Sequence, residues 1–185
     1  MAWIREIDEE EATGHIADTY RKLIKQRGKL SNILKVQGLN AGALDAHLDL
    51  YMQLMFGRSK LSRAEREAIG VAVSAANRCE YCINHHVVAL RQYEKDDGLI
   101  EQIISGDGYD DLPDRLGSLL TYSRKLTTAP HEMCEDNIEE MRSAGLEDDE
   151  VLDVALITAY FNFVNRLAVG LGVELTAEEM AGYKT

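Results

Sequence analysis

The sequence predicts an all-α fold, and three features carry that expectation. Apolar residues recur at helical spacing in most segments, almost no stretch alternates as a half-buried strand would, and the 185 residues include only two prolines. Hydrophobic content of 45% suits an ordered chain. The length suits a single domain over residues 1–185, burying roughly two-thirds of its unfolded-chain surface.

The elements follow from stop and start signals. A first helix is expected from about Glu9 to Lys25, with Ile16, Tyr20, Leu23 and Ile24 on one side and Gly28 ending it. Ser31 to Val36 reads as a short helix. Asn40 reads as the N-cap of a helix that carries Leu44, Leu48, Tyr51, Leu54 and Met55 and ends at Gly57. Ser62, with Glu65 three residues on, forms a capping-box pattern that opens a helix through Ile69, Val73 and Ala76. Asn77-Arg78 should break this helix, and another should run from Cys79 or Glu80 to Tyr93. Further helices are expected near Leu99–Ile104, Asp114–Leu126, Glu132–Ser143 and Asp148–Leu171, with loops at Gly106-Asp107-Gly108, Ala129-Pro130 and Gly145.

Charge narrows the partners. Acidic residues outnumber basic ones 32 to 20, for a net charge of −12, which disfavours nucleic acid and anionic membrane faces. A small molecule or another protein is the expected partner. The N-terminal run Met1-Ala2-Trp3-Ile4-Arg5-Glu6 lacks the apolar stretch of a secretory signal, so a cytoplasmic location is expected. The most apolar segment, Val151 to Val173, is interrupted by Asp153, Asn162, Asn165 and Arg166 and reads as a buried helix, not a membrane span. In a reducing cytoplasm three cysteines do not make a structural disulfide framework.

The run Cys79-Glu80-Tyr81-Cys82-Ile83-Asn84-His85-His86 therefore points to catalysis or metal binding, with thiol redox chemistry the first reading. On a helix, Cys82 and His86 are four apart and share a face, where an imidazole can take a thiol proton. Cys79 precedes Cys82 by three, a spacing that allows a reversible disulfide. Two cues to the attacking sulfur disagree: the helix N-terminus favours Cys79, and the imidazole favours Cys82. Glu67 lies twelve residues before Cys79, about 18 Å along a continuous helix. A fold-back at Asn77-Arg78 brings its carboxylate within reach of His86, directly or through one water, to orient the ring and accept its proton.

Leu61-Ser62-Arg63-Ala64-Glu65-Arg66-Glu67 followed by Cys79-x-x-Cys82-x-x-x-His86 resembles the alkylhydroperoxidase D and carboxymuconolactone decarboxylase superfamily, in the branch of peroxidase-related enzymes. The match centres on Leu61 to Leu90. Phe161-Asn162-Phe163-Val164-Asn165-Arg166-Leu167 resembles that branch's last long helix. The resemblance implies an alkylhydroperoxidase D-like helical bundle with its redox core at about residues 40–175, assembled as a homo-oligomer: a dimer, trimer or hexamer. It implies thiol-dependent reduction of a small hydroperoxide, with electrons from a dithiol protein or small thiol. Cys82 would attack the peroxide and become a sulfenic acid, Cys79 would resolve it to a disulfide, and Glu67 with His86 would relay the proton. One departure is plain: alkylhydroperoxidase D proper has a relay histidine between the motif cysteines, where this chain has Glu80-Tyr81.

Two other readings remain beside this one. Cys79, Cys82, His86 and either Glu67 or His85 are zinc-ligand types, but no second ligand cluster accompanies them, and no metal or cofactor is expected. A redox-sensing or assembly module would use the same disulfide to change partners. Gly170, Gly172 and Gly106-Asp107-Gly108 follow no strand, so no nucleotide or flavin fingerprint is present. Cys134 reads as an inert helix residue, and His15 and His47 as ordinary helix positions. Asn162, Asn165 and Arg166 need partners in so apolar a helix and are expected at helix contacts or a subunit interface in preference to a pocket, and Tyr160, Phe161 and Phe163 in the core or an interface in preference to a pocket wall.

Overall fold

The computed structural model describes residues 2–176 and residue 179, and among these the regular structure is entirely helical. The single domain expected over 1–185 extends beyond these residues at both ends. The helices are α1 (Gly14–Arg27), α2 (Asn32–Gln37), α3 (Ala41–Phe56), α4 (Arg63–Ala76), α5 (Glu80–Leu90), α6 (Asp97–Ser105), α7 (Asp114–Thr128), α8 (Glu135–Ser143) and α9 (Asp148–Gly170). The chain divides into two compact units, Met1–Met52 with Arg166–Thr185, and Gln53–Asn165.

In the first unit, α1 starts at Gly14 instead of near Glu9, because the amides of Glu11 and Ala12 return to the Asp8 carbonyl in a turn. Gly28 ends α1 as expected, in the left-handed region at φ 88°. Tyr20 is buried, and its hydroxyl lies at hydrogen-bond distance from the carbonyls of Ile7 (3.2 Å) and Leu34 (3.3 Å). Burial, with the charge of Asp8, pushes this phenol up to about 12.

The second unit is built on α4. The Ser62 hydroxyl accepts the Glu65 amide, and the Glu65 carboxylate accepts the Ser62 amide at 2.7 Å, so the capping box is complete. Ala68, Val71 and Ala72 of α4 form a core with Leu90 of α5, Ile100 and Ile103 of α6, Tyr109, and Leu120 of α7. Arg66 is buried and satisfies its guanidinium on three carbonyls, those of Leu54, Gly57 and Leu61. That arrangement ties the connection ahead of α4 to the helix through backbone carbonyls.

Several boundaries differ from expectation for local reasons. α5 stops at Leu90, where the amides of Tyr93 and Glu94 both turn back to the Leu90 carbonyl. α6 starts early because the Asp96 side chain accepts the amides of Gly98 (2.9 Å) and Leu99 (3.3 Å). Pro130–Glu132 form a separate 3-10 turn, and Cys134 is the extended N-cap of α8 instead of a residue within it. Among the described residues α9 alone is long and apolar enough to cross a membrane, and half of its most apolar stretch is buried within the protein.

The joint between α4 and α5 positions the motif. α4 ends in a Schellman arrangement: the Arg78 amide bonds the Ala75 carbonyl, and the Cys79 amide bonds the Ser74 carbonyl, both at 2.9 Å. Arg78 takes the left-handed position, φ 55°, the only non-glycine residue among those described to do so. Cys79 is thus both the last residue of one helix-ending motif and the N-cap of the next helix. Because the left-handed region costs an arginine about 1 kcal/mol relative to glycine, Arg78→Gly is expected to raise stability by up to that amount. The urea unfolding midpoint measures it, and a lower midpoint would mean that the arginine side chain holds the turn.

Candidate active site

Glu67 is fully buried on α4, one turn after Arg63. Its two oxygens have separate partners. Arg63 Nε donates to Oε1 at 2.9 Å, and His86 Nδ1–H donates to Oε2 at 2.7 Å. Burial alone would push this carboxyl up, but the charge and hydrogen bonds of His86 and then of Arg63 outweigh it, so Glu67 lies below its ordinary value. Arg63 is itself held, with Nη1 on the Met55 carbonyl and its guanidinium carbon 3.8 Å from the centre of the Phe56 ring.

The fold-back at Asn77–Cys79 therefore brings the carboxylate and the imidazole into direct contact. His86 stands edge-on to Phe161, ring centres 4.5 Å apart and planes at 85°. Phe161 can lie there because residue 70 is glycine: a Cβ at Gly70 would stand 2.7 Å from Phe161 Cζ. With Nδ1–H given to Glu67, Nε2 is the ring nitrogen left to exchange a proton. Cys82 lies one turn earlier on α5, on the same side of the helix. His85 pairs instead with Tyr81, ring centres 4.5 Å apart, so the residue that stands between the motif cysteines engages the other histidine.

Both motif cysteines are reduced and buried, Cys79 at 1% exposure and Cys82 at 3%. The Cys82 thiol donates to the Cys79 sulfur. That bond, against burial and with help from the nearby Cys82 amide, lowers the Cys79 thiol. Cys82 is pushed well above its ordinary value by the same bond, by burial and by the charge on Cys79, with a hydrogen bond from Asn165 pulling the other way. The two thiols therefore titrate as a pair, tilted toward a Cys79 thiolate by the neighbouring S–H more than by the imidazole. Among the described residues no cluster of three or more His, Cys, Asp or Glu side chains is arranged to hold a metal ion.

Sequence reasoning missed Arg63, Ser74, Asn77 and Gly70. Arg63 carried a readable signal, its four-residue spacing from Glu67. Asn77 registered only as a helix breaker, and neither Ser74 nor Gly70 advertises the α9 side chain that it meets.

Removing the Glu67 charge leaves the half-buried Arg63 guanidinium without its charged partner and the buried site without its anion, so Glu67→Gln is expected to destabilise the fold by about 2 kcal/mol at neutral pH. Because folding lowers the Glu67 value, its contribution is full above the ordinary glutamate value of 4.5 and is lost as pH falls through the lower folded value. The gap in urea midpoint between wild type and Glu67→Gln should narrow as the pH is taken below 4.5. A constant gap would remove the carboxylate charge as its source.

Residues 41–112 match the carboxymuconolactone decarboxylase family. The chain is similar to a peroxidase-related protein of Silicibacter sp. TM1040, at 31% identity and a TM-score of 0.80, covering 98% of this chain and 93% of that one. It is similar also to an alkylhydroperoxidase AhpD core, a peroxidase-related protein of Ralstonia eutropha JMP134, at 29% identity and a TM-score of 0.85, covering 97% and 94%. YdfG of Bacillus subtilis (strain 168) is 24% identical over 115 residues, 62% of this chain and 78% of that protein.

Proposed function

The chain belongs to the alkylhydroperoxidase D and carboxymuconolactone decarboxylase superfamily, whose enzymes are of peroxidase or decarboxylase type, and from that premise we propose that it is a thiol-dependent peroxidase that reduces a small hydroperoxide through Cys79 and Cys82. The observation that carries this reading is the contact of Glu67 with His86, one turn of α5 from a buried, reduced cysteine pair. Two neighbouring thiols favour redox chemistry over decarboxylation.

The steps balance. The dithiol gives one proton to His86 Nε2, with Glu67 supporting the resulting imidazolium. Cys82 as thiolate attacks the outer peroxide oxygen: an S–O bond forms, the O–O bond breaks, and the leaving alkoxide takes the proton back from His86. The Cys79 thiol then attacks the sulfenic sulfur: the S–S bond forms, the S–O bond breaks, and hydroxide leaves with the Cys79 proton as water. A dithiol protein or small thiol reduces the disulfide and is itself oxidised. The reading places the protein in a reducing cytoplasm. It also makes the protein a homo-oligomer, a role for which Leu152, Leu156 and Phe163 stand exposed on α9.

Rapid mixing of the reduced protein with cumene hydroperoxide, followed by intact mass and a free-thiol count, tests the reading. Wild type should lose two thiols and two mass units. Cys82→Ser should not react through the pair, and Cys79→Ser should stop at a sulfenic acid that over-oxidises. His86→Ala and Glu67→Gln should slow thiol loss by about a hundredfold. An unreactive wild type would overturn the peroxidase reading. The burial of both sulfurs favours a second reading, a thiol–disulfide switch, and such a protein would oxidise with a disulfide reagent but not with the peroxide.

A further inference from the structure

Arg63 has no part in the steps above, yet it touches the group on which they depend. Two nitrogens of its guanidinium, Nε at 2.9 Å and Nη2, converge on the same Glu67 oxygen, Oε1. Oε2 is left to His86 Nδ1, at 2.7 Å. This differs from the usual fork, in which a guanidinium takes both oxygens of a carboxylate. The guanidinium is fixed from behind: Nη1 donates to the Met55 carbonyl near the end of α3, and its carbon lies 3.8 Å from the centre of the Phe56 ring. The Arg63 side chain is 19% exposed, against 0% for Glu67 and 15% for His86.

The buried carboxylate therefore stands between a permanent cation and a ring that gains and loses a positive charge. With so little water present, each of these charges acts strongly on the others. A carboxylate that gives its whole charge to an imidazole holds an added proton tightly on that ring. A guanidinium on the other oxygen draws part of that charge away, and it repels the positive charge that the ring acquires. A relay group must both take and return a proton, so it works best when it holds the proton neither too tightly nor too weakly.

We propose that Arg63 is a positioning residue whose charge sets how tightly His86 holds its proton, acting through the carboxylate that the two side chains share. This inference rests on the reading of Glu67 and His86 as the proton relay. The charged groups that act on Glu67 are His86 of α5 and Arg63 of its own helix. Around the ring, α9 presents the uncharged Phe161, and α5 places Cys82 one turn earlier. Arg66, the next cation on α4, is turned to the carbonyls of Leu54, Gly57 and Leu61. Among the described residues Arg63 is thus the permanent cation in contact with the relay.

The test reads His86 directly. Nuclear magnetic resonance of the histidine ring nitrogens follows its titration in the whole, reduced protein, with the His86 signal identified by its loss in His86→Asn. Arg63→Gln keeps a donor beside Oε1 and removes the charge, whereas Arg63→Lys keeps the charge and gives up the planar fork. The His86 midpoint should rise by about one pH unit in Arg63→Gln, a tenfold gain in proton affinity, and by less than about a third of that in Arg63→Lys. An arginine that only braces the fold would leave the midpoint of a folded Arg63→Gln where it was, and that result overturns the proposal. An equal rise in both variants would trace to a disturbed turn and overturns it too. Should Arg63→Gln not fold, Arg63→Met takes its place with the same expectation. Failure of both to fold assigns Arg63 to the fold alone and likewise overturns the proposal. No peroxide enters the titration, so an unreactive wild type with a moved midpoint would defeat the peroxidase reading and leave the role of Arg63 standing.

Discussion

A carboxylate without water constrains everything around it. Glu67 is ionised in the middle of α4 at zero exposure, and its charge is tolerable only because a guanidinium and an imidazole N–H each take one oxygen. The two partners arrive by different routes. Arg63 comes from the preceding turn of the same helix, a consequence of spacing alone. His86 comes from the next helix, and it reaches Glu67 only if the chain reverses within the few residues after Ala76.

That reversal links the polar site to the backbone. The left-handed Arg78 and the bond from the Cys79 amide to the Ser74 carbonyl fix where α5 begins. Once α5 is aimed along α4, the first cysteine is at its cap, the second in its first turn, and the histidine one turn further. The apolar core supplies the opposing wall: Phe161 fills the space over Gly70 and meets the edge of the His86 ring. The imidazole is therefore clamped between a charge on one helix and a ring on another, which leaves it a single working nitrogen.

Much of this was legible in the residues, and the remainder was hidden for identifiable reasons. The capping box at Ser62 and Glu65, the stop at Gly28 and the break at Asn77-Arg78 are short-range features whose physics is complete within a few residues. The meeting of Glu67 and His86 could be read because one turn separates their helices. The starts of α1 and α8 were misplaced because a turn on Asp8 and an extended Cys134 outcompeted helix there. The roles of Ser74 and Gly70 could not be read, because each is defined by an α9 side chain far along the chain, whereas Asn165, expected at a helix contact, makes one to Ser74 and Asn77 at the end of α4. The acidity order of the sulfurs was equally hidden, since it depends on which S–H points at which neighbour.

The depth of the two sulfurs carries a kinetic consequence. An oxidant must approach along the axis of the bond it will lose, and a cysteine only 3% exposed leaves little room for that approach in the resting conformation. Encounter then requires a brief local opening, and the observed rate becomes the product of how often the cover lifts and how fast the exposed sulfur reacts before it recloses. Under fast reclosing, anything that shifts the opening equilibrium rescales oxidation by every reagent alike, whatever its intrinsic reactivity. The packing over α5 thereby acts as a throttle common to substrate and bystander oxidants.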